Sequence, residues 1–98
     1  MNYDLAIIGG GAAGMAAAVF AAENGVRTVV IEHNRQLGKK LAITGKGRCN
    51  VTNNSDNENI MKNIPTGSRF LYSALAGFSA YDTMNFFEGL GVPPKTER

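Results

Sequence analysis

The sequence predicts an α/β fold with a parallel βαβ unit at its start, and three observations predict it. Residues 3–8, Tyr-Asp-Leu-Ala-Ile-Ile, are strand-length, apolar toward the end, and run into Gly9-Gly10-Gly11. Seven of the thirteen residues 12–24 are alanine, the best helix former. Residues 27–32, Arg-Thr-Val-Val-Ile-Glu, are rich in β-branched side chains and favour a second strand. Two strands joined through one helix at this spacing are parallel, with a right-handed crossover.

Each element has local punctuation. Asn24-Gly25 ends the first helix, because glycine suits the left-handed position after a helix terminus. Residues 33–59 contain Gly38, Gly45 and Gly47 and five asparagines, from Asn50 to Asn59. That composition argues against a long regular element, and so long a loop in a compact domain is usually functional or disordered. A helical turn is expected at 59–64, closed by Pro65, followed by two short helices at 68–77 and 80–90. Ser68 and Ser79 are candidate N-caps, and Asp82 stands three residues after Ser79 as in a capping box. Tyr81, Met84, Phe87 and Leu90 are expected on one apolar face. Gly91 stops the last helix, and Pro93-Pro94 prevents its resumption.

Composition bounds the rest. The 98 residues, 44% hydrophobic and 18% charged, allow one domain at most and exclude collagen, a disordered tail and a coiled coil. No apolar run approaches the ~20 residues of a membrane span, and no cationic segment precedes an apolar one as in a secretory signal. A single cysteine, Cys49, makes neither an internal disulfide nor a multi-cysteine zinc site, so a cytoplasmic location is the expectation. The net charge of +2 is far from that of a strongly basic nucleic-acid binder. Half of the ten basic residues nevertheless lie between Glu32 and Asp56, where there is no acidic residue: Arg35, Lys39, Lys40, Lys46 and Arg48. Such a stretch suits phosphate.

Two secure strands leave both sheet edges unpaired. Phe70, Leu71, Phe78, Phe86 and Phe87 bring more apolar surface than a two-stranded sheet covers. Residues 1–98 are therefore expected to be the N-terminal piece of a larger protein, with the remainder of the domain beyond residue 98. Standing alone, the chain is expected to self-associate or bind a partner through this surface.

The chemistry-bearing motif is Gly9-Gly10-Gly11-Ala12-Ala13-Gly14, which fits G-x-G-x-x-G between a strand and a helix. Gly9 permits the tight turn, Gly11 leaves room for a pyrophosphate, and Gly14 lets helix and strand pack closely. The helix start at Ala12 and Ala13 offers amides without helical partners and about half a positive charge. Glu32 follows Gly14 by 18 residues, near the spacing at which a carboxylate accepts from the adenosine ribose hydroxyls. Its charge disfavours a 2′-phosphate, and with it NADP at this site.

The motif alone does not choose between FAD and NAD. The segment after Glu32 points toward FAD. Gly38-Lys39-Lys40 and then Thr44-Gly45-Lys46-Gly47-Arg48-Cys49-Asn50-Val51-Thr52-Asn53 occupy the place where an NAD domain forms its next helix and strand. Lysines and Arg48 can neutralise a diphosphate, and Asn50 and Thr52 can hydrogen-bond a flavin edge.

Residues 4–14, 38–53 and 78–98 together resemble the N-terminal part of the BaiN-like, aminoacetone-oxidase-like flavoprotein family. The second stretch is the more specific. The resemblance implies a Rossmann-like FAD-binding domain of an NAD(P)/FAD-dependent oxidoreductase. It carries Gly9, Gly11, Gly14 and Glu32 over as diphosphate and ribose contacts, and Lys40, Gly47, Arg48, Cys49 and Asn50 as the loop beside the cofactor. Members are several times longer and complete the FAD site with later segments. An electron-donating NAD(P)H would bind outside residues 1–98.

Other side chains weigh less. Arg48 can favour a Cys49 thiolate, but without a C-x-x-C pair a flavin-linked disulfide reductase is disfavoured, and Cys49 reads better as a small residue near the loop. His33 has no ligand cluster around it, so no metal site is expected; it lines the adenine region or faces solvent. Lys39, Lys40 and Lys46 as an RNA strip is the weakest reading, because no aromatic interleaves residues 33–69. No residue stands out as a catalytic acid or base. The leading function is the FAD-binding segment of a flavin oxidoreductase acting on an unidentified small molecule, inactive as a 98-residue piece. The alternatives are an NAD-binding dehydrogenase domain and a non-catalytic nucleotide-fold module for protein association.

Overall fold

Residues 28–31 pair in parallel with residues 5–8, as the βαβ reading expects. A computed structural model describes residues 2–97. The chain divides into two units, residues 1–50 and 51–98.

In the first unit, β1 (Leu5–Ile8) and β2 (Thr28–Ile31) are in the register Leu5–Thr28, Ala6–Val29, Ile7–Val30, Ile8–Ile31. Both strands are shorter than the apolar segments that announce them. At the open end, the Arg27 guanidinium grips the Asp4 carboxylate with Nε–Oδ2 at 3.0 Å and Nη2–Oδ1 at 3.1 Å. The helix α1 (Ala12–Glu23) connects the strands and packs on both. It ends as the Asn24-Gly25 pair predicts. Gly25 has φ +74°, its N–H donates to the Ala22 carbonyl at 3.0 Å, and the Val26 N–H donates to the Ala21 carbonyl at 3.0 Å. This is the paired 5→2 and 6→1 arrangement of a glycine-closed helix.

The segment after β2 is more ordered than its composition suggests. A five-residue helix, α2 (Lys39–Ile43), and a 3-10 turn, Gly45–Gly47, interrupt the expected loop. Gly38 starts α2 in the left-handed region at φ +66°.

In the second unit, α3 (Asn57–Lys62) begins before the expected residue 59, because the Asp56 carboxylate caps it by accepting the Asn59 N–H at 2.8 Å. The expected helix 68–77 is split into a 3-10 turn, Ser68–Leu71, and α4 (Tyr72–Gly77). Ser68 is not its cap: left-handed Gly67, at φ +79°, precedes the turn without a side-chain cap. Ser79 does cap α5 (Ala80–Gly89), with the reciprocal Asp82 bond in place. Gly91 closes α5, and the Val92 N–H donates to the Phe87 carbonyl at 3.0 Å.

The apolar face of α5 differs from the expected stripe. Ala80 is buried and Met84, Phe86 and Phe87 are half-buried, but Tyr81 and Leu90 are exposed. Phe86 makes edge contacts with Phe78 and Phe87, with ring centroids 6.4 and 5.2 Å apart. Among the described residues Ala80 is the one fully buried hydrophobic side chain, while Ile8 and Phe70 are 78% and 88% exposed. No helix among the described residues is long and apolar enough to cross a membrane.

Candidate functional site

The glycine turn lies between the end of β1 and the start of α1. Gly9 takes φ +98°, open to glycine at little cost, while its N–H still donates to the Ile31 carbonyl of β2 at 2.8 Å. Gly11 is the N-cap of α1, and no side chain caps its first turn or places an acid there. The first amides of a helix have no intrahelical acceptor, so Ala12, Ala13 and Gly14 present bare N–H groups and the positive end of the helix dipole.

The two glycines at the helix start differ in what a side chain would meet. A Cβ on Gly11 would meet nothing within 4 Å, so the space in front of the helix is open. A Cβ on Gly14 would collide with the Gly9 carbonyl oxygen, so Gly14 is what allows α1 to start this close to the turn.

Glu32 stands just past β2, with its side chain 14% exposed. Its Oε1 accepts the Gly10 N–H at 2.8 Å and its Oε2 accepts the Asn34 N–H at 2.8 Å. The Asn34 and Gly10 bonds, aided by the charge of nearby His33, hold the Glu32 carboxyl below its ordinary value of 4.5. An ionised carboxylate has about four lone-pair sites, so each oxygen retains acceptor capacity for a hydroxyl. His33 itself is 90% exposed, with Nδ1 3.5 Å from Glu32 Oε2.

The following segment folds back onto the glycine turn. The Gly38 N–H donates to the Gly10 carbonyl at 2.7 Å, and Gly38 is buried beside Met15 of α1, where a Cβ would stand 3.0 Å from Met15 Cε. The exposed Lys39 and Lys40 follow directly on the first turn of α2. Thr44 closes that helix, with Oγ1 donating to the Leu41 carbonyl at 3.0 Å.

Residues 44–50 form a tight turn of their own. Gly45 is left-handed at φ +75°, Gly47 ends the 3-10 turn, and the Arg48 N–H returns to the Gly45 carbonyl at 2.9 Å. A Cβ on Gly45 would lie 3.6 Å from the Asn50 nitrogen, so Asn50 sits against the start of the turn. Lys46 is left-handed without being glycine, at φ +50°, a conformation that costs on the order of 1 kcal/mol. Cys49 is exposed and its thiol is free.

The structure thus draws Gly9, Gly11, Gly14, Glu32 and Gly38 around one turn and sets Lys39 and Lys40 beside it. Four residues of this cluster do not stand out in the sequence: Gly10, Met15, Asn34 and Leu37, whose Cδ2 occupies the place a Cβ on Gly10 would take. Gly10 and Asn34 act through main-chain groups, which any residue type provides, so composition carries no signal for them. A hint exists only at Gly10, the unneeded middle glycine of a run of three. No group of three or more His, Cys, Asp or Glu side chains gathers among the described residues in a way that would hold a metal ion.

A bound dinucleotide needs bare amides, open space at the turn and a carboxylate for the ribose, and the residues present fit that requirement. Comparison with known proteins agrees with the geometry. A family model described as the HI0933-like protein Rossmann domain matches residues 3–98. The chain is 34% identical over 94 residues to the 3-dehydro-bile acid delta(4,6)-reductase of Clostridium scindens, covering 94% of this chain and 22% of that protein. It is 33% identical over 91 residues to the ribosomal RNA dihydrouridine synthase of Escherichia coli, covering 93% of this chain and 22% of that protein. It is 36% identical over 76 residues to a 3-oxosteroid 1-dehydrogenase of Mycolicibacterium smegmatis, covering 78% of this chain and 13% of that protein. The chain spans about a fifth of the length of the first two relatives.

Proposed function

Because the chain belongs to the HI0933-like Rossmann-domain family, we propose that residues 1–98 form the N-terminal, FAD-binding segment of a flavin-dependent oxidoreductase. The observation that carries this reading is the pairing at one turn of open space at Gly11 with a Glu32 carboxylate fixed by two main-chain amides. In it, the amides of residues 12–14 bind the diphosphate and Glu32 accepts from the adenosine ribose. Lys39 and Lys40 add positive charge beside the phosphates, and the 44–50 turn, with Thr44, Gly47, Arg48, Cys49 and Asn50, borders the cofactor. When bound, the flavin exchanges a hydride or electrons with the substrate.

The names of the relatives support redox chemistry. A reductase, a dihydrouridine synthase and a dehydrogenase each add or remove hydrogen. Those names cover a bile acid, an RNA and a steroid, so they do not converge on one substrate for this chain. The remaining FAD contacts, the substrate site and any NAD(P)H site are assigned to polypeptide beyond residue 98. The short coverage of the relatives and the exposed apolar side chains of both units support that assignment.

The test is spectroscopic. The full-length protein should purify with visible flavin absorbance, or regain it when titrated with FAD, and should bind NAD far more weakly at this site. A colourless protein that binds NAD stoichiometrically would replace the flavin reading with the dehydrogenase one. Absence of affinity for either dinucleotide would leave the association module.

A further inference from the structure

The x positions of a G-x-G-x-x-G turn are normally free of any assigned role. Here the first of them, Gly10, is buried and uses both of its main-chain polar groups on the segment that follows β2. Its N–H donates to Glu32 Oε1 at 2.8 Å, and its carbonyl accepts the Gly38 N–H at 2.7 Å. The side on which a side chain would stand is also filled. A Cβ there would fall on Leu37 Cδ2, 3.3 Å from Glu32 Oε1 and 3.4 Å from Glu32 Cβ. The left-handed region does not explain this glycine, since Gly10 is not among the positive-φ residues. Space around Glu32 and Leu37 explains it.

We propose that Gly10 is the positioning residue of the ribose carboxylate, clipping residues 32–38 onto the phosphate turn so that ribose anchor and diphosphate cradle form one unit. This rests on the FAD reading above. Glu32 touches the ligand, and Gly10 acts through it. The Oε1 bond fixes one carboxylate oxygen, and Asn34 fixes the other at 2.8 Å, so the carboxylate plane is set before the ligand arrives. A preorganised acceptor avoids the ordering cost that a free glutamate side chain would incur on binding. The Gly38 bond does the same for the start of α2, and therefore for the approach of Lys39 and Lys40.

A competing explanation is that Gly10 only makes room for Leu37. Leu37 is exposed over much of its side chain, and its tip can swing away, so a packing role would be relieved by shortening it. The positioning role would not, because the Glu32 contact remains.

The experiment uses the full-length protein stripped of cofactor, with FAD as the titrant and with 13C-NMR titration of the Glu32 carboxyl as a readout that needs no ligand. Gly10→Val is expected to weaken FAD by about tenfold, through crowding of one charge-assisted acceptor. Adding Leu37→Ala should not restore it. In the Glu32→Gln background, Gly10→Val should cost no more than about twofold, since residues that act through one another are non-additive. The Glu32 carboxyl should titrate closer to its ordinary value in Gly10→Val. If Gly10→Val does not fold, Gly10→Ala carries the same cycle with a smaller loss.

Losses that multiply in the double variant, full rescue by Leu37→Ala, or an unmoved Glu32 titration would each overturn the proposal. The two failures are separable. A wild-type protein that binds no FAD refutes the cofactor reading, whereas a wild type that binds it with independent Gly10 and Glu32 effects refutes the clip alone.

Discussion

At the scale of single residues, the glycines divide into those whose missing Cβ leaves open space and those whose missing Cβ makes room for the protein itself. Gly11 is of the first kind. Its backbone, at φ −80°, is accessible to any residue, and a Cβ there meets nothing. Gly11→Val should therefore lose FAD affinity by at least about a hundredfold, while the cofactor-free protein loses no more than the roughly 0.5–2 kcal/mol of a poorer helix N-cap, as read by titration and by the urea midpoint without ligand. Gly14 is of the second kind. Gly14→Ala drives a Cβ into the Gly9 carbonyl, and overpacking of this sort costs about 1–3 kcal/mol, measurable as a shift in the urea midpoint before any ligand is added. Glu32 links the two roles. Its folded carboxyl titrates below the ordinary 4.5, so its bonds to Asn34 and Gly10 stabilise the fold above that pH. The contribution disappears as pH falls through the lowered value. Glu32→Gln should flatten this part of the acid limb, seen as a smaller change in urea midpoint between neutral and acid pH. The turn of Gly9, Gly11 and Gly14 was legible because absence of a side chain at fixed spacing is itself the signal, and Glu32 because a carboxylate follows Gly14 by 18 residues at the end of the second strand. Gly10 as an anchor was not, since the bonds that define it are made by atoms common to every residue.

Among the elements, the helix ends were the most readable features and the helix starts the least even. The Ser79–Asp82 box is a reciprocal pair of side-chain and backbone bonds, and its spacing states it outright. Ser79→Ala should cost about 0.5–2 kcal/mol, read by chemical denaturation, with loss of helical circular dichroism from α5. Asp56 makes a similar cap three residues ahead of the expected start of α3, a case of an acid in an asparagine-rich run whose partner N–H is identifiable only once the helix is known. Ser68 failed because left-handed Gly67 turns the chain into a 3-10 start instead. The short helix α2 was hidden for a related reason. Five residues are too few to show a period, and the element is held by Gly38 through its bond to Gly10 and its contact with Met15, outside the helix itself. Tyr81 and Leu90 share a helical period with Met84 and Phe87, but they lie at the exposed margin of that face. Periodicity names a face and leaves its width to the neighbours.

For the whole molecule, the governing fact is the amount of apolar surface left in water. Ile8, Ile31 and Ile43 in the first unit and Phe70 and Leu90 in the second are well exposed. Burying such side chains is worth roughly 1.5–3 kcal/mol each, so a chain in this state gains by covering them. Residues 1–98 expressed alone should therefore bind FAD weakly or not at all and associate in a concentration-dependent way. Calorimetry and light scattering check the two halves of that expectation. The βαβ fold class was readable from the sequence because its strands, turn and helix are contiguous. What covers these side chains was not, because exposed apolar residues announce a need for cover without naming what supplies it. A last consequence belongs to the paired strands. The ribbon is fastened at both ends, by Asp4 with Arg27 at one and by Glu32 with Gly10 at the other, across 23 and 22 residues of chain. Sliding one strand past the other by a single position would undo both fasteners at once and turn the apolar side chains to the opposite face. Misaligned pairings are thus penalised twice, and both fasteners that select the alignment lie within the first thirty-odd residues.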